Sequence, residues 1–234
     1  MLFSIEDDVM QRFAGLTVGV VVARGVEHSG TPSALTTLLR EEEFRIRNDF
    51  SLDGLAAHPP VACWRQAYAA FGGEPKKNRS SVENLYKMVL EGHDVRTVNP
   101  LVDAYNVVSL RHMLPVGGED LDRMQGDLAL RFAGANEVPV VLLGEREARA
   151  PKVGEVIYAD AVGAICRRWN WREADRTKLT ARTKNAVLVV EALPPASRAD
   201  VEAATDELAE LVRVYCGGAV RTAVLDASHL SVPL

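Results

Sequence analysis

The sequence is short of aromatic residues, 6% by count, and holds three cysteines, Cys63, Cys166 and Cys216, far apart and none in CxxC spacing. That excludes a disulfide scaffold, a zinc ribbon and a thioredoxin-type site, and an odd, sparse set suits a reducing compartment. Basic charge is not in excess: 27 Lys and Arg against 32 Asp and Glu leave −5. A globally basic nucleic-acid coat is therefore excluded, though a local basic patch is not. Apolar runs are short; Leu16 to Ala23 spans eight residues, where a membrane helix needs roughly 20. Met1 to Met10 carries Glu6, Asp7 and Asp8 and no Lys or Arg, unlike a secretory signal. A soluble, cytoplasmic chain without a membrane partner is expected. P-loop, dinucleotide-binding, HExxH and GxSxG motifs are missing. The five histidines, His28, His58, His93, His112 and His229, are scattered without ligand spacing, so neither a metal nor a cofactor is expected.

What is present suffices for a core. The chain has 234 residues, 47% hydrophobic and 25% charged. A chain of that length buries roughly 70–75% of its unfolded surface, and one domain over residues 1–234 is expected. Leu16–Ala23, rich in Val and bounded by Gly15 and Gly25, predicts a buried strand. Thr31-Pro32 predicts a helix start running to about Asn48, Pro59-Pro60 another to Phe71, and Asn99-Pro100 a third to about Met113. Ser80 with Glu83 fits a capping box, ahead of the apolar stripe Val82, Leu85, Val89, Leu90. Leu114-Pro115 and Gly117-Gly118 read as a stop. Strand-like segments follow at Leu128–Phe132, Val138–Leu143, Val156–Tyr158, Val162–Cys166 and Ala186–Ala192, then a helix over Ala199–Tyr215 and a strand over Ala219–Leu225. Helices gather in the first half and strands in the second, which favours α+β over a doubly wound sheet.

Two polar features stand out. Cys166–Asn185 carries seven basic residues and two acids, a net +5, so the rest of the chain sums to −10. Trp169 and Trp171 lie among its arginines, a pattern that suits guanidinium on phosphate and indole on a base face. The bland alternative is a solvated strand edge, with both tryptophans sharing one inward face. The other feature is the helix carrying Asp103, Asn106 and Ser109, three residues apart and so on one face. They read either as a hydrogen-bond cluster joining the helix to the loop Pro115–Gly118 or as the wall of a pocket for a polar group.

The order PKKNRSSVENL, NPLVDAYNVVSL, LPVGGEDLD, GEVIYAD, CRRWNWR resembles the free-standing relatives of an editing domain. That domain is formed by the third and fourth B domains of the phenylalanyl-tRNA synthetase beta subunit. The resemblance covers about residues 65–192. It implies a three-layer α+β fold, a β-sandwich of unusual topology with helices packed on one side. In the synthetase this domain hydrolyses the ester between tRNA and a wrongly attached tyrosine, with water as nucleophile. The synthetase motif runs Val-Asp-x-x-Asn, then Gly-Gln-Pro-x-His-x-x-Asp. Val102, Asp103 and Asn106 match its first part, and Pro115 and Asp120 its second; Gly117 stands where the histidine would be. A glutamate that senses the tyrosine hydroxyl in the synthetase is replaced by the segment ICRRWNWR, so tyrosine specificity does not carry over.

On that basis the expected pocket residues are Asp103, Asn106, Ser109, Gly117, Gly118, Tyr158 and Asp160. The expected tRNA contacts are Arg79, Arg167, Arg168, Trp169, Asn170, Trp171 and Arg172, and the expected partner is the aminoacylated 3′ end of a tRNA. No residue presents itself as general base; Asp103 or Asp160 would serve only with a raised pKa. Three functions remain open: an aminoacyl-tRNA deacylase acting in trans, a non-catalytic tRNA- or RNA-binding module, and a binder of a free amino acid or metabolite.

Overall fold

The computed structural model describes all 234 residues. In chain order its elements are β1 (Leu2–Ile5), α1 (Asp7–Arg12), β2 (Thr17–Arg24), α2 (Ser33–Asp49), α3 (Leu52–Leu55), α4 (Pro59–Ala70), α5 (Ser81–Leu90), α6 (Pro100–His112) and β3 (Val116–Asp120). They continue with β4 (Leu128–Phe132), β5 (Val140–Val141), β6 (Ala148–Arg149), β7 (Val156–Ala159), β8 (Ala164–Arg167), β9 (Arg172–Glu173), β10 (Asn185–Ala192), α7 (Arg198–Cys216), β11 (Ala219–Leu225) and β12 (Ser231–Pro233). No helix is long and apolar enough to cross a membrane.

Strand β2 is buried along nearly its whole length, as a strand covered on both faces must be. It lies inside a four-stranded antiparallel sheet of order β11-β2-β10-β3. Side chains alternate across that sheet. Val21, Ala23, Leu188 and Val190 join a core shared with α2, α5, α6 and α7. Val18, Val20, Val22 and Val187 face a second core against the other sheet. That sheet has six strands in the order β12-β1-β4-β7-β8-β9, mixed because β1 runs parallel to β4. The architecture is therefore the expected three-layer α+β sandwich with helices packed on one side.

Three local readings change. Gly117 and Gly118 are not a stop but lie inside β3, paired with Val189 and Leu188 of β10. Pairing over the whole strand overrides the weak strand preference of glycine. Helix α6 instead ends at Met113, which adopts a left-handed conformation with φ 55°. The segment Val138–Leu143 keeps only two strand residues, Val140–Val141, and a single bridge from Leu142 to Ala174. Ser80 does cap α5, accepting from the Glu83 N–H. The Glu83 carboxylate does not close the box, because Arg65 at 2.5 Å and Arg79 at 3.4 Å hold it.

Candidate functional site

Strand β3 forms one edge of the small sheet, and a deep cavity opens there. It encloses about 570 Å³, within the range of small-molecule sites. Register decides what faces it. Glu119 stands opposite Val187, Gly117 opposite Val189, and the Pro115 carbonyl accepts from the Glu191 N–H. Opposed residues share a face, so Glu119, Gly117, Val187, Val189 and Glu191 form one wall. Leu128, Tyr158 and Cys166 of the large sheet form the facing wall, and α5, α6 and the β8–β9 turn close the sides. A Cβ built on Gly117 meets no atom within 4 Å, whereas one on Gly118 meets Leu188 Cδ2 at 2.2 Å. Gly117 therefore leaves space in the cavity itself, while Gly118 lets β3 press against the helix-side core.

The backbone of β3 contributes too. The Glu191 N–H bonds Pro115 O and the Leu121 N–H bonds Asn185 O. By the alternation of an antiparallel ladder, Gly117 and Glu119 turn their N–H groups to β10, while Val116, Gly118 and Asp120 turn theirs off the edge. The Asp120 N–H finds Thr177 O at 2.8 Å; that of Gly118 is left for the cavity. Asn106 of α6 is buried and lines the same space. Its amide makes no hydrogen bond within the protein, so a ligand or water can take it.

Three carboxylates line the interior: Glu119, Glu173 and Glu191. Glu191, 1% exposed, accepts from Tyr158 Oη and Trp169 Nε1, each at 2.6 Å, and from Asn170 Nδ2 at 2.9 Å. Burial nevertheless outweighs the three donors and pushes its pKa up to about 7. Glu173 is pushed up to about 7, chiefly by burial and further by Asp175, against the opposing pull of Lys178. Glu119 is raised well above the carboxylate range by burial and then by the neighbouring Glu173. One of its oxygens, Oε2, is buried without any hydrogen-bond partner.

The rim is cationic but not free. Arg79, Lys87 and Arg172 line the mouth, bonded to Glu83, Glu91 and Glu145 respectively. Trp171, half-buried, lies between the guanidinium groups of Arg168 at 4.4 Å and Arg172 at 4.8 Å. The turn that presents it is strained: Arg168 and Trp169 both have positive φ, 49° and 65°, a conformation costing roughly 1–3 kcal/mol per residue. Surrounding bonds hold it there. The N–H groups of Arg168 and Trp169 reach Glu155 Oε1 at 3.0 Å and Val156 O at 2.7 Å. Asn170 accepts from the Ser81 N–H and from Tyr68 Oη, both at 3.0 Å.

Of the pocket residues expected from sequence, the cavity gathers Asn106, Gly117, Gly118 and Tyr158. Asp103, Ser109 and Asp160 lie elsewhere. Asp103 accepts from the Val98 N–H at 2.9 Å and from the Thr31 hydroxyl, and Ser109 donates to Leu114 O at 2.7 Å. Asp160 is held by Arg176 at 2.6 Å and by the N–H groups of Gln125 and Val162. Each stabilises a turn, which is why a buried polar group stands there. Burial raises Asp103, but it does not line the β3-edge cavity; in Asp160 the bonds to Arg176 and to backbone N–H groups overcome burial and lower the pKa.

Of the expected RNA contacts, Arg79, Asn170, Trp171 and Arg172 line the mouth, and Arg168 stacks on Trp171. Arg167 is buried in a two-pronged pair with Glu155, both bonds at 2.9 Å. Trp169 is fully buried, edge-on to Trp64 and Phe13 with centroids 5.0 and 4.7 Å away. The two tryptophans thus do not share a face, because the left-handed turn separates them. Nor is the +5 segment a bare basic patch: Arg167, Arg168, Arg172, Arg176, Lys178 and Lys184 are each within 4.0 Å of a carboxylate oxygen.

Glu119, Glu173 and Glu191 were missed because no local pattern marks them. Glu191 carried a faint signal, an acid in the apolar run AVLVVEA at the same parity as Val187 and Val189. Glu119 was hidden because Gly117-Gly118 reads as a helix stop rather than as part of a strand.

Residues 63–217 match the B3/4 domain family. Phenylalanine–tRNA ligase beta subunits from Bordetella pertussis and Bordetella parapertussis are each 31% identical over 134 residues, 57% of this chain. The chain spans only 16% of the length of those relatives. Among solved structures, an N-terminal fragment of the phenylalanyl-tRNA synthetase beta subunit from Pyrococcus horikoshii aligns with 94% of this chain and 50% of its own, at 10% identity and TM-score 0.46. With the family match extending over more than half its length, the chain belongs to the B3/4 domain family.

Proposed function

We propose that this chain binds the aminoacylated 3′ end of a tRNA in the β3-edge cavity and hydrolyses the ester, acting in trans on tRNA charged with the wrong amino acid. The observation that carries this reading is the polarity of the cavity. Carboxylates line its interior and guanidinium groups flank its mouth. An aminoacyl-tRNA has the matching polarity, an ammonium on the amino acid and phosphates behind the ester. The likeness to ligase beta subunits that act with tRNA is in keeping with it.

The chemistry asks little, since an aminoacyl ester is already activated. Glu191, with a pKa of about 7, is well matched to accept a proton at neutral pH. A water bound to it gives up a proton to the carboxylate as its oxygen adds to the ester carbonyl. The oxyanion that forms is met by the Asn106 amide. Collapse breaks the bond to the ribose oxygen, which takes the proton back from Glu191. The products are the free amino acid and uncharged tRNA.

The test is deacylation of a panel of deliberately mischarged tRNAs by the full chain. One or a few members should be hydrolysed, with loss of at least about a hundredfold in Glu191→Gln and a clear loss in Asn106→Ala. A folded protein that hydrolyses none of them overturns catalysis. If tRNA then binds with a steep salt dependence, the chain is a binding module. The paired state of the rim cations favours one other reading, a site for a free amino acid. Stabilisation by an amino acid equal to that by its aminoacyl-tRNA would establish it.

A further inference from the structure

Glu191 and Glu119 stand at opposite ends of the same wall. Glu119 is opposite Val187, and Val187 is four residues from Glu191 along β10. At about 3.4 Å per strand residue, the two ends are about 14 Å apart. Between them lie Val187, Val189 and the open space over Gly117. The Glu191 end is satisfied by three donors. The other end is not. Glu119, 8% exposed, leaves Oε2 without a partner, and Glu173 from β9 lines the cavity beside it without a hydrogen bond to its carboxylate. The cations of the same segment are committed elsewhere: Lys178 to Asp175 at 2.5 Å, Arg176 to Asp160 at 2.6 Å, and Arg172 to Glu145 at 2.9 Å. Two neighbouring carboxylates with no cation between them are costly to ionise together unless a ligand supplies the charge.

We propose that the amino acid accepted by this cavity has a long side chain ending in a cation, a guanidinium or an ammonium, which seats between Glu119 and Glu173. The inference rests on the aminoacyl-ester reading for where the ester lies, at the Glu191 end. The methylene stem then runs along Val189 and Val187 over Gly117, where a side chain on β3 would block it, and long cationic side chains bury their stems in this way. A guanidinium offers two parallel donors to facing carboxylates, and an ammonium offers three.

The experiment uses calorimetric binding to the full chain of four non-hydrolysable amino acid amides: those of arginine, lysine, norleucine and tyrosine. Arginine or lysine amide should bind at least about tenfold more tightly than norleucine amide, which has a similar stem and no charge, as expected for charge-assisted hydrogen bonds. Glu119→Gln and Glu173→Gln should erase that preference while leaving the norleucine amide affinity in place. Gly117→Leu, which fills the stem channel, should abolish binding of the cationic amides. Equal or tighter binding of norleucine or tyrosine amide, a preference that survives both Gln variants, or binding of none of the four would overturn the proposal. The outcomes separate the two readings. Cation preference without deacylation defeats only the enzyme, and deacylation without cation preference defeats only the cationic side chain.

Discussion

Glu191 lends itself to a test that needs no substrate. Its ordinary value is 4.5, and in the folded protein burial lifts it to about 7. Between those values the native state holds a proton that the unfolded state has released. Stability therefore falls as pH rises through that window and levels off above it. At about 1.4 kcal/mol per pH unit, the loss attributable to this residue is about 3 kcal/mol. Glu191→Gln removes the titration. At pH 5 the wild-type side chain is a neutral carboxylic acid, with one oxygen free to accept from Tyr158 and Trp169 and a hydroxyl facing Asn170. Glutamine keeps the carbonyl for Tyr158 and Trp169 but sets its NH₂ against the Asn170 Nδ2 that donates to Glu191, so one hydrogen bond is lost. The two proteins should then agree within about 1 kcal/mol, the worth of one ordinary hydrogen bond. At pH 8 the variant should be the more stable, by about 2–3 kcal/mol. Urea denaturation at pH 5, 6, 7 and 8 measures the difference directly. Glu119 and Glu173 titrate in both proteins and cancel. If Glu191→Gln is instead destabilised at pH 8, the three donors outweigh burial, Glu191 is a settled carboxylate, and its role as a proton acceptor near neutrality fails with it.

Further outcomes follow from the packing. Gly117→Leu should change stability by less than about 1 kcal/mol, since no atom lies within 4 Å of the new Cβ. Gly118→Ala meets Leu188 Cδ2 at 2.2 Å and Val187 O at 3.0 Å, and chemical denaturation should show a cost of about 1–3 kcal/mol. Asp103→Ala leaves the Val98 N–H and the Thr31 hydroxyl without their acceptor; it should lose about 1–3 kcal/mol of stability with amino acid amide affinity unchanged. Trp169→Ala opens a hole against Trp64 and Phe13, at about 3–5 kcal/mol. Trp171→Ala should leave folding nearly intact and weaken tRNA binding about tenfold or more, as expected for one lost stacking platform; unchanged tRNA affinity would remove Trp171 from the interface.

Much of the scaffold was written locally. β2 announces itself as a Val-rich run between glycines, and α6 begins where Asn99 accepts from the Val102 N–H ahead of Pro100. α5 shows its apolar stripe and its Ser80 cap. These signals are short-range, a periodicity or a cap within one element, and they survive into the fold because the tertiary packing agrees with them. The polar helix face was legible but ambiguous. Asp103, Asn106 and Ser109 share a side by spacing, yet only Asn106 reaches the cavity, because the other two are consumed by loops that fold back on α6.

The candidate site was decided at long range. Glu119 and Glu191 are 72 positions apart, and they share a wall only because β3 and β10 pair in one register; a slip of β3 by a single residue would turn Glu119 to the helix side and leave Glu191 on the wall without it. Glu173 arrives through the β8–β9 hairpin, whose left-handed turn at Arg168 and Trp169 sends one tryptophan into the core and the other to the rim. The charge count of Cys166–Asn185 was correct as a sum but not as a field, since the acids that neutralise it come largely from residues 145, 155 and 160, outside that segment. Composition and periodicity determined the layers. Strand register and turn handedness, which depend on residues far apart in the chain, determined which carboxylates face the cavity.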